Sequence, residues 1–270
     1  MIHGFNKTMN HSEDIFFEDF TSDRINRDQW NVMVTGDIFN IEQQAYVDSL
    51  DTIFTESGNG DDANGVLVLH PRYQPGFITK DGKKFDFISG RLDTKGKIDF
   101  IHGKLSARLK LPLGEGLWPA FWLIGQGSWP GCGEIDVMEY VGESDWISSA
   151  VHGKGYSGDA ALVNYFYFPS ENDVTNWHIY SLNLKQDKSM EFFVDDKLVY
   201  RVTKPMNEYF SPWIFNQPKS IVINLAIGGG YPYKINGVKQ PYYGLPEKTV
   251  QLIKENKVCY KIDWVRISQS

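Results

Sequence analysis

The run "KLSARLKL" places Leu105, Ala107, Leu109 and Leu111 on one side of an extended chain and polar residues on the other. A period of two belongs to a strand with one buried face. Comparable short runs recur as "GVLVLH" from Gly65, "WHIYSLNL" from Trp177, "MEFFVDDKLVYRV" from Met190 and "SIVINLAIGGG" from Ser220, with Gly, Asn, Asp and Pro between them. Within them, "FFVDDKLVYRV" reads as a hairpin turning at Asp195 and Asp196. Against these stands one helical candidate, "LPEKTVQLIKEN" from Leu245, sufficient for one short helix. Many strands, few helices and no repeat predict an all-β sandwich of antiparallel sheets. At 270 residues, and with no linker or low-complexity stretch, the chain reads as one domain, with residues 1–14 as a loose N-terminal segment. "YQPGFITKDGKKFDF" and "GGGYPYKINGVKQPYYGLP" read as long loops whose tyrosines either wall a cleft or stiffen the loops by packing on one another.

Composition removes several classes of partner. A formal charge of −7 without a run of Lys or Arg offers no stripe for phosphates, so nucleic acid is not expected. No apolar run approaches the roughly 20 residues that span a bilayer, and no basic amphipathic helix suits a membrane surface. The stretch "MIHGFNKTMNHSED" lacks the apolar core of a secretory signal, so either the protein stays inside or its leader is absent from this sequence. Two cysteines, Cys132 and Cys259, are too few for a disulfide framework or a four-thiolate zinc site, and both are expected reduced. The aromatic content is 14 %, with 8 Trp and 14 Tyr, rings that suit pyranose faces as well as ordinary cores.

"GEIDVMEYVG", Gly133 to Gly142, sets Glu134, Asp136 and Glu139 among apolar neighbours. A helix would scatter these acids, whereas a strand aligns Glu134 with Asp136 and sends Ile135 and Val137 into a core. Glu139 then has the wrong parity, which one extra residue, a β-bulge between Asp136 and Glu139, corrects. With both glutamates on one face, leaning side chains bring their carboxyls towards the roughly 5 to 5.5 Å separation of retaining glycosidases. The other readings of this segment alone are a half-exposed strand and a bound cation.

Just upstream stands "GLWPAFWLIG", followed by Trp129 in "SWPGCGEIDVMEY". The joined run resembles the W-P-A-F-W and E-I-D-x-x-E pattern of glycoside hydrolase family 16, in its laminarinase-like branch. Resemblance extends through "FEDF" at 17–20, "EQQAY" at 42–46, "SGRLDTKGK" at 89–97, "SSAVHGKGYSG", "INLAIGGGYP" and "IDWVRI". It implies a jelly roll of two curved antiparallel sheets, with substrate across the concave face. Endo-hydrolysis of β-1,3-glucan, with mixed-linkage glucan as a further substrate, is the activity implied. Glu134 is then the nucleophile, Asp136 its helper and Glu139 the general acid/base. The inserted residue separates this pattern from the unbulged E-I-D-x-E of lichenases and xyloglucan transferases.

The same resemblance makes Arg91 a donor-side contact and Trp118 and Trp122 sugar platforms, with Trp129 beside them. It sets Asn40 and Glu42 at the donor end, where Ile41 departs from the usual "NNE", and His152 near the acid/base. Asn224 either donates to a sugar hydroxyl or satisfies backbone groups. Asp263, with backbone carbonyls near Glu18 and Gly65, matches a structural calcium site of some relatives; catalysis itself is expected to need no cofactor. A monomer acting on a polysaccharide outside the cell is expected. The rivals are a non-catalytic carbohydrate-binding sandwich, and a transglycosylase or galactan hydrolase of the same family.

Overall fold

The computed structural model describes residues 14–58, 65–169 and 172–269. Strands are numbered along the chain. The outer sheet runs β16 (Lys197–Thr203), β15 (Ser189–Val194), β14 (His178–Leu184), β9 (Gly103–Lys110), β18 (Tyr260–Ser268), β5 (Gly65–Leu69) and β4 (Ile53–Ser57), with β1 (Asp14–Glu18) also paired to β18. The inner sheet runs β13 (Leu162–Tyr167), β12 (Trp146–His152), β11 (Glu134–Glu139), β10 (Leu117–Gly125), β17 (Lys219–Ile227), β8 (Arg91–Asp93) and β2 (Asn31–Val32). Both sheets are antiparallel, as expected for a jelly roll. A small third sheet sets β3 (Gln44–Tyr46) parallel to β7 (Lys84–Ser89), which pairs antiparallel with β6 (Arg72–Ile78).

The core lies between the two large sheets. Leu105, Ala107, Leu109 and Leu111, the side chains that the alternation selects, are all buried and meet Phe121, Leu123, Ile135, Ile223 and Leu225 of the inner sheet. Burial of each large aliphatic side chain contributes roughly 1.5–3 kcal/mol, which is why the register of these strands cannot slip. The β15–β16 hairpin turns at Asp195 and Asp196, whose φ of 49° and 63° suit a tight two-residue turn. The helix expected from Leu245 onward is α3 (Glu247–Lys254), which buries Thr249, Val250 and Ile253. α1 (Lys204–Glu208) and α2 (Gly230–Asn236) are also present.

Both expected loops carry more structure than their composition suggests. The first is the β6–β7 hairpin, interrupted by a register shift between Tyr73 and Phe77 where Gln74, Pro75 and Gly76 stand. The second contains α2. Their tyrosines do pack: Tyr73 and Tyr242 lie 5.4 and 4.7 Å from the Phe87 ring, the Tyr242 hydroxyl donates to Asp86, and Tyr233 stacks on Tyr243 at 4.2 Å. The N-terminal segment lies outside the described residues up to residue 13, whereas Asp14 is already strand, paired with Ser268. Cys132 and Cys259 are both free, and burial raises the pKa of each thiol. Among the described residues no helix is long and apolar enough to cross a membrane.

Candidate active site

The expected bulge is present. β11 pairs with β12 as Glu134↔His152, Ile135↔Val151 and Asp136↔Ala150, then shifts so that Glu139 faces Ser148. Val137 and Met138 together stand opposite Ser149, and both are buried in the core. The Ser149 hydroxyl donates to the Val137 carbonyl at 2.9 Å, satisfying a backbone group that the broken ladder frees. On the other side β10 shows the matching shift between Phe121 and Trp122, and sets Ala120 against Glu139 and Trp122 against Asp136. Two core-facing residues in succession thus return Glu139 to the face that carries Glu134 and Asp136.

Three carboxyls in one desolvated patch cannot all be ionised. Burial, then the charge of Asp136, raises Glu139 to about 8. Burial likewise pushes Glu134 and Asp136 upward, while His152 and Arg91 favour the ionised form of Glu134. Burial and mutual repulsion thus favour protonation throughout the patch, and the three acids titrate as one interacting set. His152 lies beside this pair: Nε2 is 3.0 Å from Asp136 Oδ2, out of line for a hydrogen bond, and 3.7 Å from Glu134 Oε1. The Gly158 N–H donates to His152 Nδ1 at 3.1 Å, so the neutral ring carries its hydrogen on Nε2, towards the acids. The histidine expected near the acid/base therefore makes its closest contact with Asp136, opposite Glu134 in the ladder.

Tryptophans cover the acids. Trp118 and Trp122 share the acid face of β10, each half-buried. Trp118 Nε1 donates to Glu139 Oε1 at 2.9 Å, and Trp122 Nε1 donates to Asn224 Oδ1 at 2.7 Å. The Asn224 amide in turn donates to the Tyr46 hydroxyl at 3.0 Å. Both ends of Asn224 are thus engaged, and its contact with the cleft is through Trp122. The Arg91 guanidinium sits 5.0 Å from the Trp122 ring and 6.0 Å from that of Tyr46. Glu42 accepts from Gln44 Nε2 at 2.8 Å and from the Tyr46 hydroxyl at 3.4 Å, and burial raises its pKa. Asn40 is exposed, with a φ of 49°, and its carbonyl accepts from the Gly230 N–H at 2.7 Å. Trp129 is 51 % exposed, with its ring 6.2 Å from that of His152.

Three residues not singled out in the sequence join the site. Tyr46 and Gln44 lie on the third sheet and anchor Glu42, and the Ile227 N–H donates to Gln44 Oε1 at 2.7 Å. Tyr231, on α2, meets the Trp118 ring edge-on at 5.6 Å and places its hydroxyl 3.1 Å from Ser148 Oγ. Only their aromatic or amide character was visible in the sequence, and nothing local distinguishes them from other residues of their kind.

Glu134, Asp136 and His152 also offer donor atoms within 4.8 Å of one another, a spacing that would hold a metal ion. The residues expected for structural calcium meet on the outer sheet, where β1 and β5 both pair with β18. Asp263 is buried there, at a register shift, with Oδ2 accepting from Arg108 at 2.7 Å. Gly65 packs so closely that a Cβ would lie 2.0 Å from the Phe20 carbonyl oxygen. The carboxylate and main-chain carbonyls expected there are all oxygen donors, the chemistry that suits a hard cation, while Asp263 Oδ2 is held by Arg108 in this structure.

An antiparallel sandwich that aligns three carboxyls beneath half-buried tryptophans on one sheet face defines a class, the β-sandwich glycoside hydrolases. A family model described as glycosyl hydrolases family 16 matches residues 29–265, and the chain belongs to that family. A β-glucanase of Rhodothermus marinus is 32 % identical over 179 residues, covering 62 % of this chain and 60 % of its own length. The endo-β-1,3-glucanase of Pyrococcus furiosus superposes with a TM-score of 0.80 at 29 % identity, covering 95 % of this chain and 94 % of that one. A β-1,3-glucan-binding protein of Penaeus monodon is 29 % identical over 183 residues, 56 % of this chain and 49 % of its own. The chain thus spans 60 % and 49 % of the length of these two curated relatives.

Proposed function

We propose that the protein is a retaining endo-hydrolase of β-1,3-linked glucan. The observation that carries this reading is the bulge of β11, which brings the two glutamates to one face. Glu134 attacks the anomeric carbon as Glu139 gives its proton to the departing glycosidic oxygen; the C–O bond breaks and a glycosyl ester forms on Glu134. Glu139, now ionised, takes a proton from water as that water displaces Glu134 from the same carbon, and the original configuration returns. Asp136, on the same face beside Glu134, is the group that would hydrogen-bond the nucleophile and hold its orientation. His152 steadies that pair. Trp118 orients Glu139, while Trp122, Arg91, Asn40 and Glu42 line the donor half and Asn224 holds Trp122. The site is complete within one chain, which supports action as a monomer. Asp263 with backbone oxygens near Glu18 and Gly65 would hold a structural calcium ion, which would stiffen the outer sheet far from the reacting groups.

The test is activity on laminarin, mixed-linkage glucan, agarose and carrageenan in parallel, with the first anomer followed by NMR. A β product from laminarin is expected, and an α product refutes the mechanism. Glu134→Gln should lower kcat by about 10³-fold or more and leave oligosaccharide affinity intact. Unchanged sugar binding by a wild type that turns over none of the four polymers would instead place the chain with glucan-binding relatives. Because Glu139 must hold a proton, kcat/KM should fall as pH rises through about 8.

A further inference from the structure

Beyond β12 the inner sheet ends in β13, and there the exposed residues are the large ones. Val163, Tyr165 and Tyr167 are 42 %, 44 % and 63 % exposed, while Leu162, Asn164 and Phe166 between them are half-buried. The ladder carries the acid face out to these side chains: Glu139 faces Ser148, Ser148 faces Tyr165, and Trp146 faces Tyr167. Two strand spacings put Tyr165 about 10 Å from Glu139, comparable with two pyranose units laid across the strands. The platform is also continuous with the catalytic wall. Tyr165 meets the Trp146 ring edge-on at 5.1 Å, and Tyr231 touches Ser148 and Trp118 next to Glu139. An edge strand with uncovered rings invites association unless a ligand uses it. Tyrosine suits a sugar, with a flat apolar face, a polar rim and few torsions to freeze.

We propose that Tyr165 and Tyr167 form a platform for the leaving-group half of the polysaccharide, about two sugar units beyond the bond that is cut. The proposal rests on the glucan-hydrolase reading for its ligand. Arg91, Asn40 and Glu42 occupy the opposite flank of β11, on the donor side, so the strand beyond β12 faces the departing chain. An acceptor held on this platform competes with water: its hydroxyl attacks the anomeric carbon of the Glu134 ester, the ester bond breaks, and the hydroxyl proton passes to Glu139. The platform therefore favours long substrates and raises the share of transfer.

Tyr167→Ala is the decisive variant, because Tyr167 is the more exposed of the two tyrosines. kcat/KM is measured on laminarin and on a nitrophenyl laminari-oligosaccharide, whose aryl group ends at the first leaving-group position. Polymer turnover should fall roughly 3- to 10-fold, aryl turnover should stay within about twofold, and transfer to added oligosaccharide should drop. No loss on polymer, or equal losses on both substrates, overturns the proposal. Tyr167→Ala should melt within about 2 °C of the wild type, because a side chain 63 % exposed adds little to packing, so a loss on polymer is not a loss of fold. If the wild type cuts a galactan instead of laminarin, the glucan reading fails and the same pair of measurements on galactan substrates still decides the platform. If it cuts nothing, calorimetric titration with a long and a short laminari-oligosaccharide decides it: Tyr167→Ala must weaken only the longer ligand.

Discussion

Glu139 is the residue whose two surroundings, core and cleft, matter most. Its ordinary carboxyl value is 4.5, and burial followed by the charge of Asp136 raises it to about 8. The folded state therefore favours its protonated form, so its contribution to stability is fully present below about 4.5 and is lost as pH rises through 8. Glu139→Gln replaces a reluctant acid with a neutral isostere. In thermal melts the variant should match the wild type near pH 5 and exceed it at pH 9 by on the order of 5 °C, while losing hydrolysis at both. A melting difference that does not grow with pH would show that Glu139 is not the buried acid described. That Glu134, Asp136 and Glu139 share one face was legible because their spacing fits a strand with one inserted residue; their roles rest on the family resemblance. Asn224 was ambiguous, since an asparagine reads the same whether its amide meets a sugar or, as here, Trp122 and Tyr46.

The hairpin of β10 and β11 sets the acids in place, and Gly125 closes it. A Cβ there would lie 1.9 Å from the Cys132 carbonyl, and the Gly125 N–H donates to the Gly133 carbonyl at 2.9 Å. Gly125→Ala must push the two strand ends apart next to Glu134. A loss of at least about 3 kcal/mol, and a Tm lower by on the order of 10 °C, is expected in calorimetry, with activity lost beyond what unfolding explains. The strands of the two large sheets were visible because a buried face leaves a period of two. β6 and β7 were not, because "QPGF" breaks the alternation where the register shifts, and β3, the parallel partner of β7, lies some forty residues upstream. α2 is a two-turn helix begun among glycines, too short to show a 3.6-residue period.

At the scale of the molecule the three acids lie on the inner sheet and Asp263 on the outer. If calcium joins Asp263 to the main chain of the β1 and β5 region, a chelator should lower Tm by several degrees, and added Ca²⁺ should restore it. Asp263→Asn should abolish that response while kcat on intact folded protein stays the same; melts that ignore chelator and Ca²⁺ alike would exclude the ion. The sequence by itself determined the fold class, the strand that bears the acids and the bulge that aligns them, because burial imposes a local period and one inserted residue changes parity. Only the tertiary structure decided which aromatics flank the acids, that His152 lies on Asp136, and that β13 carries the acid face outward to Tyr165 and Tyr167. Those relations join residues far apart in the chain through ladders and packing, and no local pattern records which strand will lie beside which.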